Sequence, residues 1–189
     1  MSRRSLGPGG HALRSSPQRE AGFTLLELLA VIAVVAILTG IAIGIGRHAL
    51  ASARVSRARA ELLVLATALE SYRAAYGDYP RTNDPKHFLQ SLVGRRGPDY
   101  AAITGPARLE LAKLNLTGGL DPLTNESAEL LDPWDQPYRY AYKSVTPWSN
   151  AGYVLYSAGP DGLASEGLLA GGFPEVAAPA NVDNLYANR

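Results

Sequence analysis

Cysteine is absent from the 189-residue sequence, and methionine, tryptophan and phenylalanine are scarce, with one, two and three copies. The absence of cysteine excludes a disulfide framework, a zinc–thiolate centre and a cysteine nucleophile. It leaves the compartment open, because a chain without thiols is indifferent to redox conditions. A strong net charge is also lacking, since the formal charge is +1 and the isoelectric point is about 8.0. This balance argues against a nucleic-acid partner.

Catalytic motifs are lacking too. The sequence has no Gly-x-Ser-x-Gly elbow, no phosphate-binding P-loop and no His-Glu-x-x-His metal motif. The three histidines, His11, His48 and His87, have no evident acid or nucleophile partner in the sequence. We therefore expect a protein that is not an enzyme.

Proline is missing from residues 18–79, and this stretch contains the most distinctive feature of the chain. Residues 23–46 form an almost purely apolar run of 24 residues. As a helix this run would be roughly 36 Å long, which is enough to cross a bilayer core of about 30 Å. A cleaved signal peptide is one alternative, but its apolar core has only about 7–15 residues. An uncleaved membrane anchor is the other.

Charge is distributed unevenly along the chain. Residues 1–22 are rich in Gly, Pro, Ser and Arg, which predicts disorder, and they carry four arginines against Glu20. Four more arginines follow the apolar run, and from Glu61 onward there are 10 basic and 15 acidic residues. The pattern indicates a basic leader, an apolar anchor and a mildly acidic domain. The leader favours a cytoplasmic N-terminus, with the domain on the far side of the membrane.

Glu27 is the only charged residue of the apolar run. A carboxylate costs about 2.5–3.5 kcal/mol near the middle of an inserted helix, and Glu27 lies close to the end, where the cost is lower. One interpretation is a side chain that reaches the lipid headgroups. The other is a charge that awaits a cationic partner in an assembly.

The segment Ala21-Gly-Phe-Thr-Leu-Leu-Glu27-Leu-Leu29 resembles the cleavage and methylation signal of type IV pilins and type II secretion pseudopilins. The resemblance implies that a membrane peptidase cuts after Gly22 and methylates the amine of Phe23. Glu27 would become the fifth residue of the mature chain. It would pair with the Phe23 amine of a neighbouring subunit and set the register between subunits, because a buried carboxylate gains most from a cationic partner.

The helix is expected to continue beyond the apolar run. From residue 47 the sequence is rich in Ala, Arg, Leu and Glu, which favours helix, and Gly77 and Pro80 predict its end near Tyr76. Apolar residues at spacings of three and four form one face. They are Ala58, Leu62, Leu65, Leu69, Tyr72 and Tyr76. Arg57, Glu61 and Arg73 lie largely off this face, which should pack on a small sheet.

Shorter elements are predicted after the long helix. Residues 88–93 and 109–116 are expected to form two short helices within a region, 81–131, that matches no motif. Residues 138–142 and 153–156 are aromatic and β-branched, which predicts two strands joined by a Pro/Asn/Gly loop.

Two C-terminal motifs extend the resemblance. Asp132-Pro-Trp-x-x-Pro-Tyr138 and Tyr153-x-Leu-Tyr-Ser-x-Gly-x-Asp-Gly162 resemble the signature of the major type II pseudopilins. That resemblance implies a loop that binds one calcium ion, an ion that takes 6–8 oxygen ligands. Ser157, Asp161, Asn181 and Asp183 are the implied ligands, and the aspartates match best. Glu166 and Asn184 could supply further oxygens.

The resulting prediction is an α+β, pilin-like fold. A long N-terminal helix, first transmembrane and then amphipathic, packs on a small antiparallel sheet. The expected segments are a cleaved leader, a transmembrane and filament-core helix, its amphipathic continuation, a variable region, and a C-terminal sheet with the calcium loop. Their bounds are 1–22, 23–46, 47–80, 81–131 and 132–189.

The implied function is that of a structural subunit of a type II secretion pseudopilus, which drives protein export across the outer membrane. The subunit would be a single-pass inner-membrane protein with its C-terminal domain in the periplasm, and later part of a periplasmic filament. Its partners would be other copies of itself, minor pseudopilins, the prepilin peptidase, the inner-membrane assembly platform and membrane lipid, with no nucleic acid.

Two alternatives remain open. A type IV pilin for adhesion, motility or DNA uptake would share the helix, although many such pilins close a C-terminal loop with a disulfide. A membrane-anchored periplasmic binding or enzymatic domain would keep its leader, remain monomeric and have a ligand pocket within residues 81–131.

Overall fold

The computed structural model describes residues 22–165 and 167–187, and for residues 42–47 it describes the backbone alone. The predicted leader, except Gly22, and Glu166 therefore lie outside the described residues. The chain divides into two compact units, Met1–Ile45 and Gly46–Arg189.

The first unit contains the start of helix α1, which runs from Leu25 to Tyr76. The large apolar side chains between Phe23 and Ile41 are more than half exposed. Within the described part of the chain, we find no helix that combines the length and the apolar character needed to span a bilayer. The span predicted over residues 23–46 includes residues 42–46, whose side chains are not described, and it stays a prediction.

In the second unit α1 buries the predicted apolar face. Its fully buried members are Ala58, Leu62, Leu65, Leu69 and Tyr72, while Tyr76 is half-buried. The placement of Glu61 off this face was wrong, because only 7% of the residue is exposed. Its buried carboxylate accepts hydrogen bonds from the Arg57 Nε and from the Tyr138 hydroxyl, each 2.7 Å away.

Helix α1 ends where the sequence predicts. Gly77 adopts φ +82°, and its N–H donates to the Arg73 carbonyl at 2.8 Å. Glycine reaches this left-handed conformation without a steric penalty, which is why it commonly terminates helices. The tyrosine, glycine and proline that follow α1 therefore direct the chain back towards the sheet.

Of the two predicted short helices, the first is confirmed and the second is wrong. Helix α2 spans Pro85–Leu92, with Asp84 as its N-cap accepting from the Lys86 N–H and proline in the first turn. Over residues 109–116 there is one 3₁₀ turn, Leu111–Lys113, followed by strand β1, Asn115–Leu116. Pairing of β1 with a second strand holds this segment in extended conformation.

The strands form three small antiparallel sheets within the described residues. Strand β1 pairs with β2, Leu130–Leu131. The central sheet has the order β3–β4–β7, from strands Arg139–Ala141, Val154–Ser157 and Leu185–Tyr186. A hairpin pairs β5, Leu168–Leu169, with β6, Phe173–Pro174. Two further 3₁₀ turns cover Thr117–Gly119 and Pro179–Asn181. The two strands predicted from aromatic and β-branched residues are confirmed as β3 and β4.

The hydrophobic core lies between the helices and the central sheet. Leu65 and Leu69 of α1 and Phe88 of α2 pack with Tyr140 and Leu155 of the sheet. The rings of Phe88 and Tyr140 are stacked with centroids 4.5 Å apart. This arrangement confirms the predicted α+β class, with a long helix packed on small antiparallel sheets.

The region that matched no motif, residues 81–131, covers the C-terminal part of α1. The Tyr72 hydroxyl donates to the Arg96 carbonyl at 2.8 Å, and Arg108 Nη1 donates to Ser71 Oγ at 3.0 Å. The Arg108 guanidinium also lies 5.2 Å from the centroid of the Tyr76 ring, a favourable cation–π distance. The segment is therefore part of the folded unit.

Candidate functional sites: the N-terminal segment and the C-terminal loop

Gly22 and Phe23 lie in an open stretch before α1. Both residues are exposed, and among the described residues that do not adjoin Gly22, no heavy atom lies within 4 Å of the position that a Cβ on Gly22 would take. The Phe23 side chain is 82% exposed. None of the described residues covers the Gly22–Phe23 bond, and cleavage there and methylation of Phe23 stay predictions.

Thr24 and Glu27 cap the start of α1 reciprocally. The Glu27 N–H donates to Thr24 Oγ1 at 3.2 Å, and the Thr24 N–H donates to Glu27 Oε2 at 3.4 Å. This is a capping box, in which two of the orphan N–H groups of a helix start are satisfied by side chains. The sequence pattern Thr-x-x-Glu could have revealed it. The Glu27 carboxylate therefore has a partner within its own chain.

The C-terminal loop is positioned by the pairing of β4 with β7. Ser157 lies opposite Leu185 in this antiparallel pair, so the residues after β4 and those before β7 meet at one end of the sheet. Here the Asp161 N–H donates to Asp183 Oδ2 at 3.3 Å. Gly159, with φ +71°, permits the close approach, because a Cβ there would lie 2.5 Å from the Asp183 carbonyl oxygen. The structure thus brings the two predicted aspartates together.

Ser157 has other partners. Its hydroxyl donates to Oδ2 of the fully buried Asp132 and accepts from the Gly159 N–H at 3.1 Å. The other oxygen of Asp132 accepts from the N–H groups of Trp134 and Gln136 at 2.9 and 3.0 Å. The Asp-Pro-Trp motif is therefore a turn that anchors the end of β4.

Asn181 is buried and fully engaged. Its Oδ1 accepts from the Ser165 N–H at 2.8 Å, and its Nδ2 donates to Ser165 Oγ at 2.7 Å and to the Glu175 carbonyl at 2.6 Å. These bonds tie three parts of the long loop together. They also fix the orientation of the Asn181 amide. If the amide were reversed, its NH₂ group would face the Ser165 N–H, and its oxygen would face the Glu175 carbonyl oxygen.

Asn184 lies between two sets of oxygen atoms. Its Nδ2 donates to Asn181 Oδ1 at 3.0 Å, while its Oδ1 faces the carbonyl oxygens of Ala158 and Leu163, each 3.2 Å away. Turning the amide would satisfy both carbonyls but would place the two amide oxygens of Asn184 and Asn181 3.0 Å apart. In either orientation, acceptor oxygens lie close together and repel each other. A cation bound among these oxygens would remove the repulsion.

The donor set of this loop is one of amide, carbonyl and carboxylate oxygens. Hard cations such as calcium prefer these atoms. Among the described residues, no group of three or more His, Cys, Asp or Glu side chains is arranged to hold a metal. The fit therefore depends on carbonyl and amide oxygens, with Asp161 and Asp183 close by. Sequence reasoning missed the carbonyls of Ala158 and Leu163, because no side chain marks them.

Comparison with known proteins supports the resemblance predicted from the sequence. Residues 17–43 match the family model of the prokaryotic N-terminal methylation motif. This range includes Gly22, Phe23 and Glu27. The match supports the resemblance of this segment to such N-terminal signals.

Two curated relatives cover most of the chain. It is 28% identical over 145 residues to type II secretion system core protein G of Pseudomonas aeruginosa, which covers 77% of this chain and 87% of the relative. It is 29% identical over 144 residues to the protein of the same name from Escherichia coli, covering 76% and 84%. No solved structure matches the chain significantly. The motif and the two relatives together support the pseudopilin family.

Proposed function

We propose that this protein is a structural subunit of a type II secretion pseudopilus. The observation that carries the proposal is a prepilin-type motif, over residues 17–43, at the start of a helix with exposed apolar side chains. Similarity to two core G proteins over three quarters of the chain supports it. In this proposal the protein acts by assembly and has no catalytic role.

The exposed apolar surface of α1 explains why the subunit would assemble. The Leu, Val and Ile side chains from Leu25 to Ile41 are 53–83% exposed. Burial of apolar surface contributes about 25 cal/mol per Å². Membrane lipid would cover this surface first, and the helices of neighbouring subunits would cover it in the filament. Such contacts are heterologous and need not close into a ring, as a fibre requires.

Glu27 would change partners on assembly. In the single chain its carboxylate accepts from Thr24 at 3.4 Å, a long bond. After cleavage the amine of Phe23 is a cation, and a charged partner forms a shorter and stronger hydrogen bond than a neutral amide does. We propose that the Phe23 amine of a neighbouring subunit replaces the Thr24 N–H and sets the register between subunits.

The remaining assignments follow from this role. The subunit would be inserted once in the inner membrane, with residues 47–189 in the periplasm, and would then join a periplasmic filament. Its partners would be further copies of the chain, minor pseudopilins, the prepilin peptidase, the assembly platform and lipid. Nucleic acid is not among them.

Glu27→Gln tests the assembly proposal when it is compared with wild type in cells that contain the secretion machinery. Sheared filaments are counted by electron microscopy, and processing is followed by mass. We expect wild type to be processed and assembled, and Glu27→Gln to be processed without assembling. Wild-type protein that is processed and never enters a filament would contradict the proposal.

We also propose that the C-terminal loop binds calcium. The support is the donor set around Asn184 Oδ1, formed with the carbonyls of Ala158 and Leu163, and the negative charge of the neighbouring Asp161 and Asp183. The side chains of Ser157 and Asn181 are engaged in hydrogen bonds within the loop, which favours a supporting role for both. Bound calcium would link the end of β4 to the start of β7 and order the loop between them.

A further inference from the structure

We infer that Asn181 is a positioning residue that decides which end of the Asn184 amide faces the cation. The inference rests on the proposed calcium site and concerns a residue outside its donor set. The argument starts from the amide of Asn181, whose hydrogen bonds leave it a single satisfactory orientation.

Asn181 is anchored independently of Asn184. Its Nδ2 donates to two acceptors, Ser165 Oγ at 2.7 Å and the Glu175 carbonyl at 2.6 Å, and its Oδ1 accepts from the Ser165 N–H at 2.8 Å. Because only 5% of the residue is exposed, water cannot readily replace these partners, and unsatisfied buried groups cost about 1–3 kcal/mol each. The Asn181 oxygen is therefore held at one place.

That fixed oxygen selects the orientation of Asn184. It lies 3.0 Å from Asn184 Nδ2 and accepts a hydrogen bond from it. The opposite end of the same amide, Oδ1, must then face the carbonyl oxygens of Ala158 and Leu163, 3.2 Å away. Without the Asn181 oxygen, the amide would turn and donate to these two carbonyls, and the cation would lose the Asn184 oxygen as a ligand.

Asn181 thus lowers the stability of the metal-free loop and raises the affinity of the loop for a cation. A group that orients a metal ligand from outside the donor set typically changes metal affinity about 10–100-fold when it is removed. We expect Asn181→Ala to weaken calcium binding within this range. The control is Val182→Ala, which truncates the exposed neighbour of Asn181 and leaves the hydrogen bonds of Asn181 in place, and it should bind calcium nearly as wild type does.

A double-variant experiment separates orientation from general loosening of the loop. A carboxylate at position 184 presents oxygen whichever way it turns. Asn184→Asp should therefore restore more calcium affinity in the Asn181→Ala background than it adds to the wild-type chain. If Asn181 only stiffens the loop, Asn184→Asp will change affinity by the same factor in both backgrounds, and the inference is overturned.

Terbium luminescence supplies a second measurement, the number of waters bound to the metal, which general loosening of the loop would not change. Terbium replaces calcium in the full processed chain in detergent, and luminescence lifetimes in H₂O and D₂O count its bound waters. When the Asn184 oxygen turns away, water takes its place, so Asn181→Ala should gain about one water, and the double variant should lose it again. An unchanged water count in Asn181→Ala would overturn the inference.

The outcomes distinguish this inference from the calcium proposal itself. Wild-type protein that binds neither calcium nor terbium overturns both. Should Asn181→Ala fail to fold in chelator, the wild-type protein still gives a test by NMR. The side-chain amide protons of Asn184 should be protected from solvent exchange in calcium, because Asn181 accepts from them. Exchange at the rate of a free amide would contradict the inference.

Discussion

The hydroxyl of Tyr138 donates to Oε2 of Glu61 at 2.7 Å, and both residues are buried. The second carboxylate oxygen of Glu61 accepts from Arg57 Nε, also at 2.7 Å. Burial raises the pKa of the Tyr138 hydroxyl far above its usual value, and the Glu61 carboxylate raises it further. Tyr138 therefore remains a donor at any physiological pH. This pair ties helix α1 to the residue that precedes strand β3.

Tyr138→Phe should reduce the free energy of unfolding by about 1–3 kcal/mol, because it leaves a buried carboxylate oxygen without its donor. Urea unfolding of the processed chain in detergent measures the change. Tyr138→Phe combined with Glu61→Leu should be less destabilising than the sum of the single variants, since neither partner is then left alone. Strict additivity would show that the hydrogen bond contributes little.

Leu65 and Leu63 provide a matched pair on α1. Leu65 is fully buried and Leu63 is 68% exposed. Leu65→Ala should cost about 2–5 kcal/mol of stability through lost burial and the cavity left behind, while Leu63→Ala should stay within about 0.5 kcal/mol. Thermal unfolding of both variants tests the orientation of the helix. Equal losses would mean that the buried face has been assigned incorrectly.

Asp78 makes the second unit, Gly46–Arg189, sensitive to acid. Burial raises the pKa of its carboxyl, but hydrogen bonds from Lys143, Tyr142 and Arg81 together outweigh burial and hold the pKa well below its usual range. A depressed pKa in the folded state contributes stability that is present above the unfolded pKa, about 3.9, and is lost as the pH falls below it.

The variant Asp78→Asn removes this titration. Unfolding free energy measured from pH 6 down to pH 2 should fall less steeply in Asp78→Asn than in wild type below about pH 4. Above that pH the variant should be the less stable protein, because it loses ion pairs with Lys143 and Arg81 at 2.8 Å. Parallel curves across the whole range would contradict the assignment.

Calcium should stabilise the folded chain. A ligand that binds only the folded state at 100 times its dissociation constant adds about 2.7 kcal/mol. The melting temperature should therefore be higher in calcium than in chelator, and magnesium should have less effect because it demands shorter bonds and stricter octahedral geometry. Identical melting temperatures in calcium and chelator would refute the calcium assignment.

Much of the fold could be predicted from the sequence where an apolar pattern repeats over many residues. The 3–4 spacing from Ala58 to Tyr72 identified one face of α1. The two strands β3 and β4 were found for another reason, because their residues are aromatic and β-branched. The segment 109–116 was misjudged, because pairing with Leu130 and Leu131, distant in sequence, overrides a short local preference. Burial of Glu61 was missed too, since its partner Tyr138 is 77 residues away.

The two candidate sites also differ in how much of each could be predicted from local sequence. The motif around Gly22 and Glu27 is local in sequence, so it could be recognised without a structure. The C-terminal oxygens come from Ala158, Leu163 and Asn184, two of them through backbone carbonyls that any residue type provides. Only the pairing of β4 with β7 brings these oxygens together.

The account depends most on processing of the N-terminus, which intact mass and N-terminal sequencing of the protein from native membranes measure directly. We predict a mature chain that begins at Phe23 and is about 14 mass units heavier than its sequence, as one methyl group requires. A chain that still carries Arg3 and Arg4 in cells with an active prepilin peptidase would contradict the account. Glu27 would then be an ordinary charge at the membrane surface.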